Sequence, residues 1–194
     1  MNITLPLSQL VSGKTLQLSG SKSESNRALL LQAFFPELQI KNLSTADDTL
    51  LLQRALQSEE VTIDIHHAGT AMRFLTAYFA TQVGREVLLT GSARMKERPI
   101  HLLVEALQRL GANIRYEERA GFPPLYIKGV ALSKKEVRIR GNVSSQFLSA
   151  LLLIAPSLPN GLTLILEGKL TSMPYLKMTV SFLQYCLGEE VVQW

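Results

Sequence analysis

Ten residues, Leu18-Ser19-Gly20-Ser21-Lys22-Ser23-Glu24-Ser25-Asn26-Arg27, gather small side chains, hydroxyls and two cations where a long apolar stretch begins. If that stretch is a helix, its first N–H groups lack partners and its macrodipole makes this end electropositive. Cations are unfavourable there unless an anion joins them. Lys22 before the first turn and Arg27 one turn inside it therefore point to a phosphate or carboxylate receptor. The pattern returns downstream. His67-Ala68-Gly69-Thr70-Ala71-Met72-Arg73 opens a second apolar stretch, where Gly69 lets a ligand approach the backbone and Thr70 is expected to cap the helix. Arg94-Met95-Lys96-Glu97-Arg98-Pro99 is a basic loop that feeds a helix with Pro99 at its first position. Arg98 at that mouth suits bidentate phosphate binding. Gly141-Asn142-Val143-Ser144-Ser145-Gln146-Phe147 offers two hydroxyls and an amide without charge, and Ser172-Met173-Pro174-Tyr175 begins the last helix. Several such receptors in one chain indicate a multiply charged small molecule.

Plainer readings compete at some positions. Arg73 fits a ligand contact and an internal ion pair equally well. Tyr175 fits ring stacking and core packing equally well. For Arg94–Pro99 taken alone, a solvated charged loop is the better reading. Asp47-Asp48 read as capping acids at the start of a helix. His66-His67 and His101 make no metal site, because neighbours on a strand point to opposite faces and no His/Asp/Glu set has ligand spacing. No nucleophile set and no nucleotide-binding glycine motif is present.

Composition bounds the class. The 194 residues are 46% hydrophobic with a net charge of +4, a mean hydropathy of +0.14 and a pI near 9.3. That is a folded globular protein suited to anionic ligands. Its cations are scattered rather than striped among aromatics, which disfavours nucleic acid as a partner. The single cysteine, Cys186, excludes an internal disulfide and sits in an apolar stretch as a small hydrophobe. No secretory signal opens the chain, and the longest apolar run, Phe147–Pro156, falls well short of a membrane span. A cytoplasmic protein without membrane contact is expected.

The elements that must hold these motifs alternate. Strands are predicted at 15–18, 39–42, 61–65, 86–90, 113–117, 125–128, 136–140 and 163–166. Helices are predicted at 23–35, 47–57, 70–82, 99–110, 145–154 and 174–187. The pair 113–117 and 125–128 reads as an antiparallel hairpin, which rules out a doubly wound sheet and gives an α+β fold. Three helix starts with Gly and hydroxyls, at 20–23, 67–70 and 141–145, look like a degenerate internal repeat. Glu189–Trp194 reads as a strand ending on a large apolar residue, so the sequence is expected to be truncated.

In this order and spacing, Gly20-Ser21-Lys22-Ser23…Asn26-Arg27, Ala68-Gly69-Thr70-Ala71-Met72-Arg73, Gly91…Arg94-Met95-Lys96-Glu97-Arg98-Pro99-Ile100, Val143-Ser144-Ser145-Gln146-Phe147 and Ser172…Pro174-Tyr175 closely resemble the 5-enolpyruvylshikimate 3-phosphate synthases. The resemblance runs over essentially the whole chain and covers the N-terminal half of that family. It implies an inverse α/β barrel lobe of repeated βαβαββ units around buried helices, over residues 20–194. Residues 1–19 would belong structurally to an absent second, C-terminal lobe.

It also implies roles. Lys22, Ser23 and Arg27 would bind shikimate 3-phosphate, with Lys22 also reaching phosphoenolpyruvate as the one catalytic side chain in this half. Ser144, Ser145 and Ser172 would hold the 3-phosphate, and Tyr175 would lie by the ring. Gly69, Arg98 and Gln146 would line the phosphoenolpyruvate pocket. The family reaction adds the 5-hydroxyl to the enol ether carbon and then expels phosphate, with no metal or organic cofactor. Its acid and base carboxylates belong to the second lobe, so this half alone is expected to be inactive. Two positions depart from the family pattern: His67 stands where Asn is usual, and Phe74 where Pro is usual. Two alternatives are a UDP-N-acetylglucosamine carboxyvinyltransferase, whose Cys-bearing loop Cys186 does not match, and a nucleic-acid-binding module using Lys96, Arg98, Lys134 and Lys135.

Overall fold

A computed structural model of the chain describes residues 3–4, 6–9 and 11–192. Helix α1 (Lys22–Phe34) follows its cap Ser21, whose hydroxyl accepts from the Glu24 amide, and α2 (Asp47–Gln57) packs beside it. A complete βαβαββ unit comes next. It runs through β1 (Thr62–Asp64), α3 (Gly69–Thr81), β2 (Glu86–Thr90), the short α4 (Ala93–Lys96), α5 (His101–Leu110), β3 (Asn113–Tyr116) and β4 (Leu125–Lys128). Its strands are ordered β1-β2-β4-β3, with β1 and β2 parallel and the other pairs antiparallel. Parallel neighbours need a crossover helix, which α3 supplies, whereas β3 and β4 return directly as the predicted hairpin.

A second unit begins with β5 (Glu136–Arg140), α6 (Ser145–Ile154), β6 (Thr163–Glu167) and α7 (Met173–Leu187), with β5 and β6 parallel. The fold is α+β, as the hairpin indicated. Helices α3 and α6 lie against each other at the centre, where Met72, Phe74, Leu75, Leu148 and Leu151 are fully buried. Their nearly all-round apolar sequences are what such a position requires.

Several local expectations are corrected. Residues 15–18 and 39–42 form no strand: the first four are exposed, and an alternating pattern makes a strand only where a neighbour shares its hydrogen bonds. Pro99 is not the first residue of α5, which starts at His101 after Ile100; the Ile100 amide instead bonds the Gly121 carbonyl. The basic stretch 94–98 is not all loop, because Ser92 caps α4 across its first half. Residues 189–191 form a 3₁₀ turn rather than a strand, and Gln193 and Trp194 lie outside the described residues. Gly111 and Gly188 end α5 and α7, as their places just past the two apolar stretches imply, at φ values of 108° and 105° that L side chains rarely adopt. Cys186 is half-buried rather than fully buried, and burial raises its thiol pKa, which suits a packing residue.

Candidate functional site

The starts of α1, α3, α6 and α7 are tied together by side chains. From α1, buried Arg27 reaches the other helices: Nε donates to Thr179 Oγ1 at 2.7 Å, and Nη2 donates to Ser149 Oγ at 2.9 Å and to the Tyr175 carbonyl at 3.4 Å. Its Nη1 donates back to the Ser23 carbonyl at 2.8 Å. A guanidinium has five N–H groups, so one remains for a ligand. Burial lowers the Arg27 pKa to about 10. This side chain is a structural hub as well as a candidate contact.

A second tie runs through Asp48. Asn26 Nδ2 donates to its Oδ1 at 2.7 Å, and the Thr70 amide donates to its Oδ2 at 3.4 Å. Neither acid caps α2, whose N-cap is Ala46. Asp48 instead reaches across to answer an orphan amide at the start of α3, while Asp47 lies 3.8 Å from exposed His67. Thr70 does not cap α3 either, because the helix begins one residue earlier after Ala68. Its hydroxyl accepts from Gln146 Nε2 at 3.3 Å, which joins α3 to α6.

Arg98 completes the mouth of α3. A Cβ built on Gly69 would lie 2.2 Å from Arg98 Nη1, so only glycine leaves room for this guanidinium. Arg73, one turn into the helix, is 4% exposed and donates only to carbonyls and sulfur: Gly69 O, Pro99 O and Met95 Sδ. Its pKa falls to about 10, mainly through burial and then through repulsion by Arg98, with Asp48 partly offsetting both. Two guanidiniums therefore stand close without an ion pair among the described residues. Such an arrangement wants an anion. Lys96 is not part of it, being paired with Glu118 at 2.6 Å.

The structure thus connects Ser23, Arg27, Gly69, Arg98, Gln146 and the backbone of Tyr175. Lys22 is the first residue of α1, Ser145 the first of α6, and Ser144 and Ser172 are the N-caps of α6 and α7. Ser144 accepts from the Gln146 amide, whereas no hydrogen bond joins Lys22, Ser145 or Ser172 to the others among the described residues. The ring of Tyr175 is 47% exposed rather than packed in the core. Sequence reasoning missed Ser149 and Thr179, although each is a hydroxyl flanked by apolar residues on its helix. It also missed the reach of Asp48, for which no local signal exists. The described residues include no group of His, Cys, Asp or Glu that could hold a metal, and no helix long and apolar enough to cross a membrane.

Comparison with known proteins is consistent with this geometry. The family model for EPSP synthase (3-phosphoshikimate 1-carboxyvinyltransferase) matches residues 52–191. A 3-phosphoshikimate 1-carboxyvinyltransferase of Bacteroides fragilis strain YCH46 is 48% identical over 171 residues, covering 88% of this chain and 42% of that protein. The enzyme of the same name from Erwinia tasmaniensis is 39% identical, over 94% of this chain and 48% of that protein. The solved EPSP synthase of Acinetobacter baumannii superposes with a TM-score of 0.62 at 20% identity, over 72% of this chain and 38% of that one, a likeness of fold. This chain spans about half the length of these curated relatives.

Proposed function

Because the chain belongs to the EPSP synthase family, we propose that it forms the shikimate 3-phosphate side of an enolpyruvyl-transfer site, over residues 20–194. One observation carries this reading: α1, α3, α6 and α7 are bound to one another through Arg27, Asp48 and Gln146, while Arg27, Arg73 and Arg98 have no ion pair among the described residues. Lys22 and Ser23 at the α1 start and the spare N–H of Arg27 receive the shikimate 3-phosphate. Ser144, Ser145 and Ser172 hold its 3-phosphate, which neutral hydroxyls and helix amides suit once the cations nearby balance the charge. Tyr175 lies beside the ring.

The Gly69–Arg98 contact and Gln146 define the phosphoenolpyruvate pocket, and Lys22 reaches both substrates. In the reaction the 5-hydroxyl oxygen gives up its proton to a base and bonds to C2 of phosphoenolpyruvate while an acid delivers a proton to C3. The tetrahedral intermediate then loses phosphate as the same carbon gives up a proton. In this reading the residues here orient both anions and neutralise the leaving phosphate. Acid and base groups come from a partner lobe, to which residues 1–19 belong structurally. No metal or organic cofactor enters. A cytoplasmic location accompanies the reading, since both substrates are phosphorylated metabolites confined by membranes.

Titration of shikimate 3-phosphate into the chain, followed by NMR, tests the proposal. Shift changes at Gly20–Arg27 and Ser144–Gln146 are expected. Changes confined to other surfaces would overturn it.

A further inference from the structure

Arg98 is exposed, and among the described residues its hydrogen bond is a backbone one, its amide donating to the Met95 carbonyl at 3.0 Å. A long side chain left free spreads over many rotamers. Its reach over Gly69 therefore depends on where the 95–99 backbone stands relative to the first residue of α3. Arg73 fixes that relation. Its Nη1 donates to Gly69 O at 3.1 Å, beneath the Arg98 guanidinium, and to Met95 Sδ at 3.6 Å. Its Nη2 donates to Pro99 O at 3.3 Å. Met95 precedes Arg98 in the chain and Pro99 follows it, so one buried side chain grips the floor and both flanks of the contact. The Phe147 ring of α6 closes over this guanidinium, its centroid 6.0 Å from Cζ.

We infer that Arg73 is a positioning residue for Arg98: it holds the α3 start and the 95–99 segment in one geometry, so that Arg98 meets its anion already aimed. The inference rests on the reading of Arg98 as a phosphoenolpyruvate contact. The fold alone gives little reason for an arginine here. Taking a guanidinium out of water without a carboxylate partner is unfavourable, and an apolar side chain of similar volume would pack as well. Repulsion from Arg98 makes it less favourable still. What an apolar residue cannot do is tie Gly69 O to Pro99 O through two nitrogens of one rigid fork. Lysine cannot do it either, because its donors radiate from a single atom.

Arg73→Lys tests this, because it keeps the charge and loses the grip. In NMR of the 194-residue chain, the Arg98 Nε–Hε signal should be resolved in wild type and move to the position of free arginine in the variant. That readout needs neither turnover nor ligand, so it decides the inference even where phosphoenolpyruvate fails to bind and the functional reading falls. In a full-length enzyme, Arg73→Lys should raise KM for phosphoenolpyruvate by about tenfold or more and that for shikimate 3-phosphate by less than about twofold. In an Arg98→Ala background the same substitution should change neither value further. Arg73→Met, apolar and of similar length, should displace the Arg98 signal equally and replaces the lysine variant if that one unfolds. An unmoved Arg98 signal, a wild-type KM in Arg73→Lys, equal losses for both substrates, or additivity with Arg98→Ala would each overturn the inference. Unfolding of both variants would assign Arg73 to the fold and overturn it as well.

Discussion

The Arg98 guanidinium occupies the space that a side chain on Gly69 would need: a Cβ there would approach Nη1 to 2.2 Å, Cζ to 2.8 Å and Nη2 to 2.9 Å. The obstacle is the far end of a flexible side chain, so the fold survives a methyl group by moving Arg98. Gly69→Ala should therefore shift thermal stability by less than about 1 kcal/mol. It should weaken phosphoenolpyruvate binding in a full-length enzyme by about tenfold or more, as a lost charge-assisted contact. Isothermal titration beside thermal melts separates the two effects.

Arg27→Lys should act on the fold itself. An ammonium cannot span Thr179, Ser149 and two carbonyls from one position, so buried hydroxyls lose their donor. A loss of about 2–3 kcal/mol is expected in urea unfolding.

Asp48→Ala should be felt at a distance in sequence. Asn26 is fully buried and its Oδ1 already lacks a partner, so losing Asp48 orphans its amide as well. A destabilisation of about 1–3 kcal/mol is expected. Amide resonances of Gly69 and Thr70 should shift, although they lie 21 and 22 positions from the substitution.

The sheet supplies a pH test. Lys128 foremost, and Tyr126 after it, hold the Glu86 carboxyl below its ordinary value of 4.5 by hydrogen bonding to the charged form. A depressed carboxyl stabilises the fold above its ordinary pKa, and that contribution fades as pH falls through the folded value. Wild type should thus lose stability below about pH 4.5 more steeply than Glu86→Gln, with the two urea midpoints converging in acid. Parallel curves would contradict this.

Much of the scaffold was legible because its signals are local. Ser21 and Ser144 cap helices, Gly111 and Gly188 end them, and the run from Asn113 to Lys128 alternates as a hairpin must. The repeat was visible in the Gly-hydroxyl helix starts. What escaped depends on tertiary partners. Thr15–Leu18 has a strand's composition but no strand to pair with among the described residues. Asp48 looks like a cap until α3 is seen beside it. Arg27 reads in the sequence as an anion receptor, and only the packing of α6 and α7 over α1 makes it the centre of a buried network.

That network has a bearing on how such a chain can change over generations. One guanidinium staples α1 to α6 and α7 and, in the proposed reading, also lends its remaining N–H to the ligand. A substitution at position 27 that retunes ligand affinity therefore also lowers the yield of folded protein. Selection on the chemistry and selection on foldability cannot be separated at this residue, whereas at Gly69 and Arg98 they can.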